Sequence, residues 1–558
     1  MATDMTSEAS HIVNSNYATN SKIKWWQNTV FYEIYIASFQ DSNNDGIGDF
    51  NGITSRLDYL QNLGITGLWI TPFYPSPKID NGYDITDYYD VDADFGCLAD
   101  FDHFISEAHK RNIKVIIDVV VNHVSTDHRW FKEAIANADS KYRDYFIFKD
   151  KINNWQSFFG GSAWQKEPHG EQYYYHKFAV EQVDLNWQNP AVKNEIINML
   201  TFWLDRGVDG FRLDVINFLS CDDIDTESTT FDNLVDNKGL QIHQYDIDQP
   251  SIQSCLADLC NQIRNYSQSL GKECFLVGEI GHDELAKLHP YQSKDLLDVV
   301  FNFNLGSLPK FDIKTIYQQL VEMDKQQTGL PTIFFNSHDM PRAMSRLCHN
   351  NVEEAKALAT LTLMLKGVCF LYFGEEIGMP NFAAKKFADL RDINATNHFQ
   401  LALEQGKTQE QAFEKAMAEC RDKSRLYMQW STKKYSGFSG SEPWIGTSTL
   451  SNMPNVEQQK NDPKSLWHWY QQLISLRSNS QTLSNNDDQK IFLNDNVLLI
   501  LRCLDQGVTH ILINFNVTTK PIHFKSCHEI LASSGFDSNK PDWLLPYGVL
   551  ITREISCL

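Results

Sequence analysis

A short apolar run from Val208 to Asn217 carries an arginine and a carboxylate two positions apart. Side chains two apart on a strand share a face, so Arg212 and Asp214 are predicted to point the same way. A neighbouring guanidinium favours the ionised form of a carboxylate, and an ionised carboxylate held at a strand end can attack an electrophilic carbon. A buried structural ion pair is the alternative interpretation of this stretch.

Further polar residues follow other apolar runs, and together they predict a reaction. The set comprises Asp84, Asn122, His123, Arg212, Asp214, Glu279, His338 and Asp339. Each one alone has a structural explanation, because strand-end Asp and His often cap helices or satisfy loop backbone. Several carboxylates with two histidines and an arginine are the inventory for glycoside hydrolysis, in which one carboxylate attacks the anomeric carbon and another protonates the leaving oxygen.

The elements that must position these residues alternate between strand-like and helix-like patterns. Apolar runs lie at 30–36, 67–71, 114–121, 207–214, 275–279, 331–335 and 368–373, and helical periods at 101–111, 190–206, 252–271, 352–366 and 467–477. Repeated β-then-α units predict a parallel sheet closed into a (β/α)₈ TIM barrel, whose working residues lie just after the strands.

Two regions depart from this alternation. Residues 124–185 are aromatic, Gly-rich and irregular, and their length predicts a small domain inserted after strand 3 rather than a connecting loop. Short alternating apolar runs from 483 to 558 predict a C-terminal antiparallel β-sandwich domain. The barrel is then assigned to 23–123 and 186–482, and the polar residues 1–22 to a disordered N-terminus.

The composition excludes several classes of partner. The chain of 558 residues has 49 Lys+Arg against 71 Asp+Glu, a net charge of -22, which disfavours nucleic acid and anionic membranes. No apolar run reaches the length of a membrane span, and the start lacks a secretion signal. Eleven cysteines without a CxxC pair predict buried thiols in a reducing compartment. We expect a cytoplasmic monomer.

A nine-residue loop, Asp41 to Asp49, has oxygen donors at alternate positions and a glycine at its turn. This pattern predicts a Ca²⁺ site formed by the side chains of Asp41, Asn43, Asp45 and Asp49 and the carbonyl of Ile47. Gly52 stands where an EF-hand has its last ligand, so the ion is expected to be structural. A solvated acidic turn is the alternative, and no organic cofactor is expected.

The chain resembles glycoside hydrolases of the α-amylase superfamily, most closely the oligo-1,6-glucosidase and α-glucosidase branch. The resemblance runs from Trp25 to about Trp444 and includes, in order, the motifs Asp118-Val-Val-Val-Asn-His123, Gly210-Phe-Arg-Leu-Asp214, Val277-Gly-Glu279 and Asn336-Ser-His-Asp339. Supporting matches are Asn81-Gly-Tyr-Asp84, Phe159 to Trp164, Gln182 to Trp187 and Arg421 to Trp430.

The resemblance implies a role for each matched residue. Asp214 would be the nucleophile, Glu279 the general acid and base, and Asp339 the carboxylate that grips and distorts the sugar. The glucose unit at the non-reducing end would be held by Tyr83, Asp84, His123, Arg212 and His338. Arg421 or Arg425 would pair with Asp84 and close the pocket behind that glucose.

Electrostatics leads to the same division of roles. We expect Arg212 to keep Asp214 ionised, and neighbouring carboxylates with partial burial to raise the pKa of Glu279. Carboxyl groups about 5 Å apart would give retention of configuration through a covalent glucosyl intermediate.

Specificity is predicted from residues around the nucleophile. The resemblance implies that Val215, directly after Asp214, goes with cleavage of α-1,6 linkages in isomaltose, isomalto-oligosaccharides or short dextrans. Phe159, with Phe158, is expected either to form a sugar platform or to pack. Gln182, Met340 and Tyr427 lie where the chain departs from the family pattern, and we expect them near the leaving group.

Three alternatives stay open. Trehalose-6-phosphate hydrolases share the valine, and Lys385-Lys386 could meet a phosphate, although a solvated pair is the other interpretation. Sucrose hydrolases or isomerases of the superfamily are a second alternative. Catalytically silent binding subunits, which keep the barrel and lose carboxylates, are a third.

Overall fold

The computed structural model describes residues 23–554 except 225, 227–230, 238–239, 283, 327–328, 447–452, 484–487, 505–506 and 523–527. The predicted disordered segment 1–22 lies outside the described residues.

Eight parallel strands form the predicted barrel. They are β1 Val30–Ile34, β2 Gly67–Ile70, β3 Lys114–Val119, β4 Gly210–Leu213, β5 Phe275–Gly278, β6 Val299–Val300, β7 Thr332–Ile333 and β8 Val368–Tyr372. Hydrogen-bonded neighbours follow the order β6-β5-β4-β3-β2-β1-β8-β7. Strand β6 was not predicted, because two apolar residues are too short a run to show a period.

A side chain closes the barrel between β6 and β7. The hydroxyl of Thr332 donates to the carbonyl of Val300 over 2.9 Å and accepts from the amide of Asn302 over 3.0 Å. Thr332 is fully buried, so this bridge takes the place of ladder hydrogen bonds where the two short strands meet.

Helices follow the strands and cover the barrel. The longer ones are Phe50–Ser55, Leu57–Leu63, Leu98–Lys110, Pro190–Asp205, Ile252–Ser269, Ile313–Gln326, Val352–Met364 and Leu466–Asn479. Their starts carry expected signals: Asn189 accepts from the amide of Ala191 with Pro190 in the first turn, and Asn351 accepts from the amides of Glu353 and Glu354.

Alternation along the strands separates two apolar layers. Phe31, Trp69, Ile116, Phe275 and Phe370 pack together inside the barrel, whereas the residues next to them in sequence pack outward against the helices. On β4, Arg212 shares the inward face of Gly210, and the register places Arg212 beside Asp118 of β3 and Val277 of β5. The inward row thus becomes polar at the carboxyl ends of the strands.

The chain between β3 and β4 forms a small antiparallel unit. It contains strands Phe148–Lys149, Trp164–Lys166 and Tyr173–Tyr175 in one sheet, the pair His123–Ser125 with Gln182–Asp184, and helix Arg129–Ala136. The short strands Leu234–Val235 and Gln241–Ile242 follow β4, and this segment contacts the insert through Trp155, whose indole donates to the carbonyl of Phe231.

A helical hairpin after β8 was not predicted. Helices Ile393–Glu404 and Gln409–Glu419 pack around Ala395, Phe399, Ala412 and Ala416. The hairpin ends directly before Arg421, so it belongs to the group of loops around the barrel mouth.

The C-terminal region is antiparallel, as predicted, but the expected sandwich of two sheets is wrong for the described residues. Strands β9 Asp488–Asn494, β10 Val497–Leu504, β11 Gly507–Asn514, β12 Lys520–Pro521, β13 His528–Phe536 and β14 Trp543–Glu554 form one sheet. Leu498, Ile500, Ile511 and Ile551 share a continuous core with the barrel helix Val352–Met364. The inner face packs on that helix, which takes the place of a second sheet.

No helix in the described part of the chain is long and apolar enough to cross a membrane. No disulfide joins the described cysteines, and all of them are buried except Cys97, which is exposed, and Cys503, which is partly exposed. The prediction that most cysteines are buried small residues is confirmed for this part of the chain.

Candidate active site

Arg212 lies at the centre of the site and connects three carboxylates. Its Nη1 contacts Oδ1 of Asp118 at 2.8 Å and Oδ1 of Asp214 at 2.5 Å, and its Nη2 contacts Glu279. The guanidinium is buried and lies over the ring of Trp69, 5.2 Å from its centroid. Asp118 belonged to a motif of the sequence without an assigned role, and the register beside Arg212 supplies one.

Arg212 favours the ionised form of Asp214, as predicted, but burial and two neighbouring carboxylates oppose it. Burial raises the pKa of Asp214 well above its ordinary value, and the charges of Glu279 and Asp118 raise it further, while Arg212 lowers it. One positive charge is shared among three carboxylates. Asp214 and Glu279 are also hydrogen-bonded to each other.

Asp339 has the opposite environment. Its Oδ2 lies 3.0 Å from Nε2 of His338, and its Oδ1 lies 3.2 Å from Arg425 and 3.5 Å from Arg421. Burial acts to raise the pKa of Asp339, but these three cations outweigh burial and hold it well below the ordinary value. Asp339 is therefore ionised at neutral pH.

His338 is held in the charged form by carboxylates on both sides. Nδ1 contacts Glu33 at 2.6 Å and Nε2 contacts Asp339 at 3.0 Å. Burial alone would lower the pKa of His338, but Asp339 and Glu33 raise it to about 10. Tyr83 stacks on the imidazole with a centroid separation of 5.5 Å, and its hydroxyl lies 3.0 Å from Asp118, which links the two halves of the site.

The expected pairing of Asp84 with an arginine is wrong, and Asp80 makes that contact instead. Nη2 of Arg421 lies 2.6 Å from Asp80 and 2.6 Å from Asp392. Asp84 is fully buried and accepts from the hydroxyl of Ser76 and the amides of residues 79 and 80. Asp84 thus stabilises the loop that presents Asp80.

The turn between Asp80 and Asp84 explains why Asp80 rather than Asp84 contacts the arginine. Asn81 and Gly82 both have positive φ, 50° and 108°, so the chain reverses and the two carboxylates face different directions. Asn81-Gly82 is a turn signal in the sequence. This signal could have indicated that Asp80 and Asp84, on either side of the turn, have different surroundings.

Gln182 belongs to the same end of the pocket as Asp80, rather than to the leaving-group side where it was expected. Its Nε2 lies 3.2 Å from Asp80 and 3.1 Å from Nε2 of His123. Burial lowers the pKa of His123 to about 3, so this histidine is neutral. His123 also contacts the carbonyl of Tyr83 at 3.1 Å.

Met340 and Tyr427 were also expected near the leaving group, and both predictions are wrong. Met340 packs inside the barrel with Phe334 and neighbouring aromatic rings. Tyr427 is fully buried and stacks on Phe438. Their apolar surroundings place them in the core.

The aromatic residues of the insert divide into a buried and an exposed member. Phe159 is buried, and the guanidinium of Arg421 lies 5.2 Å from its ring centroid. Phe158 is 46% exposed and stacks between Phe178 and His243. Phe159 therefore packs behind Arg421, and Phe158 packs against its neighbours while part of its ring stays exposed.

Val215 has a strained backbone directly after Asp214. Its φ and ψ are 39° and 46°, a left-handed conformation that a β-branched residue rarely adopts. The amide of Ile216 donates to the carbonyl of Glu279 over 3.1 Å. The strained turn thus connects the loops that carry Asp214 and Glu279.

The loop Asp41–Asp49 has a donor set that fits a hard cation. Asp41 and Asp49 are buried, and their carboxylates accept hydrogen bonds from loop amides such as those of Gly46 and Gly52. Among the described residues no lysine, arginine or histidine forms an ion pair with Asp41, Asp45 or Asp49. Three carboxylates without a basic partner and several neutral oxygens match the ligands that Ca²⁺ takes.

Comparison with known proteins matches nearly the whole chain. A family model described as the alpha amylase catalytic domain matches residues 33–486. An oligo-1,6-glucosidase of Bacillus cereus is 36% identical over 531 residues, which are 91% of this chain and 93% of that protein.

Two solved structures resemble the fold closely. The trehalulose synthase of Pseudomonas mesoacidophila has a TM-score of 0.88 at 32% identity, covering 96% of this chain and 100% of that one. The trehalose-6-phosphate hydrolase of Bacillus licheniformis has a TM-score of 0.83 at 33% identity, covering 95% and 99%. Asp214, Glu279 and Asp339 all lie within the range matched by the family model.

Proposed function

This chain belongs to the α-amylase family of glycoside hydrolases, and we propose on that premise that it is a retaining, exo-acting α-glucosidase that cleaves α-1,6 linkages from the non-reducing end. The observation that carries the proposal is the single guanidinium of Arg212, which holds Asp214 and Glu279 side by side. Two adjacent carboxyl groups are what a retaining mechanism requires.

In the proposed mechanism Glu279 acts first as an acid and then as a base. Glu279 gives its proton to the leaving glycosidic oxygen while Asp214, contacted by Arg212 at 2.5 Å, attacks the anomeric carbon. A covalent β-glucosyl intermediate forms on Asp214. Glu279, now ionised, takes a proton from water, which attacks the same carbon from the other side and releases α-glucose.

The remaining groups hold the glucosyl ring. Asp339 is ionised and accepts from sugar hydroxyls, while His338, charged at neutral pH, is a donor beside it. The Asp80–Arg421–Asp392 network, joined by Gln182, blocks further sugar units at that end. A blocked end supports removal of one terminal glucose at a time.

The α-1,6 preference is supported by Val215 beside the nucleophile and by the similarity to an oligo-1,6-glucosidase. Purified protein should release glucose from isomaltose faster than from maltose, sucrose or trehalose 6-phosphate. NMR of the first product should show the α anomer. Initial release of β-glucose would contradict retention, and no release from any of these sugars or from a nitrophenyl α-glucoside would favour a binding protein.

Asp214→Asn tests the nucleophile. Because the amide cannot form the glucosyl ester, kcat on the nitrophenyl glucoside should fall by at least about 10³-fold. Thermal denaturation verifies that the variant is folded. A folded Asn variant that keeps most of its turnover would contradict the assignment.

Trehalose-6-phosphate hydrolysis is the second candidate, because a hydrolase of that substrate is among the similar structures. Lys385 and Lys386 are exposed in the loop after β8 and are the cations to test. If trehalose 6-phosphate is the preferred sugar, replacing both lysines with alanine should raise its KM without affecting the nitrophenyl glucoside.

We also propose that the loop Asp41–Asp49 binds Ca²⁺ in a structural role. Ca²⁺ would bring the carboxylates together and neutralise their repulsion. Removal of the ion with a chelator should lower the Tm, re-addition should restore it, and Asp45→Asn should weaken the response. An unchanged Tm would contradict the proposal. The cytoplasmic location and monomeric state stay predictions.

A further inference from the structure

The C-terminal sheet carries two histidines and a glutamate on three neighbouring strands. His510 lies on β11, His528 on β13 and Glu554 at the end of β14. The register pairs His510 with Thr552 and His528 with Glu554. Because residues two apart on a strand share a face, all three side chains lie on the face opposite the one that packs on the barrel helix Val352–Met364.

The three candidate ligand atoms are already close together. Nε2 of His510 lies 3.2 Å from Oε1 of Glu554, and Nε2 of His528 lies 3.8 Å from the same oxygen. All three atoms lie within 4.8 Å of one another. Around a tetrahedral Zn²⁺ with bonds near 2.0–2.1 Å, neighbouring ligand atoms are roughly 3.4 Å apart. Small side-chain movements are therefore enough to complete the geometry.

A buried hydroxyl beside these side chains is an independent sign of a ligand. Thr552 is fully buried, and its Oγ1 has no hydrogen-bond partner among the described residues. Thr552 is the cross-strand neighbour of His510 and lies two residues before Glu554. An unpartnered buried hydroxyl costs free energy. A water molecule bound to a metal ion at this site would supply the missing partner.

We propose that His510, His528 and Glu554 bind one Zn²⁺ or similar divalent transition-metal ion, with a water hydrogen-bonded to Thr552 in the fourth position. Imidazole nitrogens with one carboxylate are a ligand set that Zn²⁺ takes. The oxygen-only loop Asp41–Asp49 suits a harder ion, so the two sites differ in metal preference.

The expected role of this ion is to stabilise the sheet. It would tie the last residues of β14 to β11 and β13, where Glu554 is the final described residue of its strand. The inner face of the sheet, not this one, shares its core with the barrel. Metal binding should therefore raise the Tm without changing kcat on a glucoside.

The test is a titration of the full chain after treatment with a chelator. Calorimetry with ZnCl₂ in the presence of excess Ca²⁺ should show one high-affinity ion per chain, and Co²⁺ should give visible absorption bands of a low-symmetry nitrogen and oxygen site. His510→Ala and His528→Ala should each weaken binding by roughly tenfold or more. Affinity should also fall from pH 7.5 to pH 5.5, because protons compete for the imidazoles.

His349→Ala is the matched control. His349 also faces a carboxylate, Glu354 at 2.8 Å, but its side chain is 74% exposed, and this variant should bind Zn²⁺ as tightly as the unchanged chain. If His510→Ala does not fold, His510→Gln replaces it, since Gln keeps a polar side chain of similar reach. Absence of zinc binding at micromolar concentration, or full binding in both His510 and His528 variants, would overturn the proposal.

Discussion

The side chains of the site have unequal shares of positive charge. Arg212 is contacted by three carboxylates, whereas Asp339 is contacted by three cations, His338, Arg421 and Arg425. Burial, together with Glu279 and Asp118, raises the pKa of Asp214 although Arg212 lowers it, whereas at Asp339 the three cations outweigh burial and lower the pKa. The surroundings thus push the pKa values of two carboxyl groups in one site in opposite directions.

Asp80 and Asp84 should respond differently to the same substitution. Asp80→Asn removes a charged partner of Arg421 and should raise KM for the nitrophenyl glucoside by about 10- to 100-fold, as expected from ~1.5–3 kcal/mol for a hydrogen bond to a charged group. Asp84→Asn should lower the Tm and leave KM nearly unchanged, because Asp84 accepts hydrogen bonds from Ser76 and from the amides of residues 79 and 80 in its own loop. If Asp84→Asn raised KM and Asp80→Asn lowered only the Tm, Asp84 would be the residue that binds the sugar.

His338 predicts a pH dependence of stability. An unfolded histidine has a pKa near 6.5, and in the folded protein the pKa is about 10. The stabilisation due to His338 is therefore fully present below about pH 6.5 and is lost as the pH rises toward 10, by at most about 1.4 kcal/mol per pH unit. Urea unfolding at pH 6, 7.5 and 9 should show that the free energy of unfolding falls less with rising pH in His338→Gln than in the unchanged protein. Parallel curves for the two proteins would contradict the assignment.

Among the elements, the helical hairpin 393–419 is linked directly to the position of Arg421. Asp392 accepts from the amide of Asn394 at the start of the first hairpin helix and also from the backbone amide and guanidinium of Arg421. The folding of the hairpin and the position of Arg421 are thus coupled through one carboxylate. On its other side the hairpin reaches the insert, where Leu401 lies against Gly160.

Two adjacent glycines allow a matched test of that contact. A Cβ on Gly160 would lie 2.6 Å from Leu401, whereas a Cβ on Gly161 would meet nothing within 4 Å, and the two have similar φ, 91° and 83°. Gly160→Ala should therefore raise KM and lower the Tm more than Gly161→Ala. The Gly161 variant has the same backbone strain but no clash with Leu401. Equal effects of the two variants on both quantities would show that the hairpin contact does not matter.

In the whole molecule the barrel and the C-terminal sheet share one core. Arg502 of β10 is fully buried and donates to the carbonyl of Met364 over 2.9 Å, and Arg477 donates to the carbonyls of Leu363 and Leu365. Both arginines therefore hold the end of the barrel helix Val352–Met364. The continuous apolar core around them predicts that barrel and sheet unfold together.

Arg502→Ala tests this coupling. Leaving the carbonyl of Met364 without its donor should lower the free energy of unfolding by about 2–4 kcal/mol, and glucosidase activity should be lost at the same temperature as the sheet. Lys520→Ala is the control, since the side chain of its partner Asp495 is 69% exposed and an ion pair open to solvent should contribute less than about 1 kcal/mol. Loss of activity at a temperature different from that at which the C-terminal sheet unfolds would contradict a shared core.

Local pattern was sufficient for most of the strands, helices and strand-end residues that produce the barrel. Apolar runs of strand length occur at seven of the eight strands, and the predicted helix 190–206 differs from Pro190–Asp205 by one residue. Period and capping are properties of neighbouring residues. For the same reason Arg212, Asp214, Glu279, His338 and Asp339 could be grouped before any distance was known.

Tertiary structure alone decided which partner each polar group meets. Because the chain turns at Asn81-Gly82, Asp80 rather than Asp84 pairs with Arg421. Packing placed Met340 and Tyr427 in the core. The pKa of Asp214 depends on burial and on Asp118 and Glu279, which come from two other strands. Charge and desolvation act through space rather than along the chain. The sequence by itself therefore determined which residues make up the site, and the fold determined how charge is distributed among them.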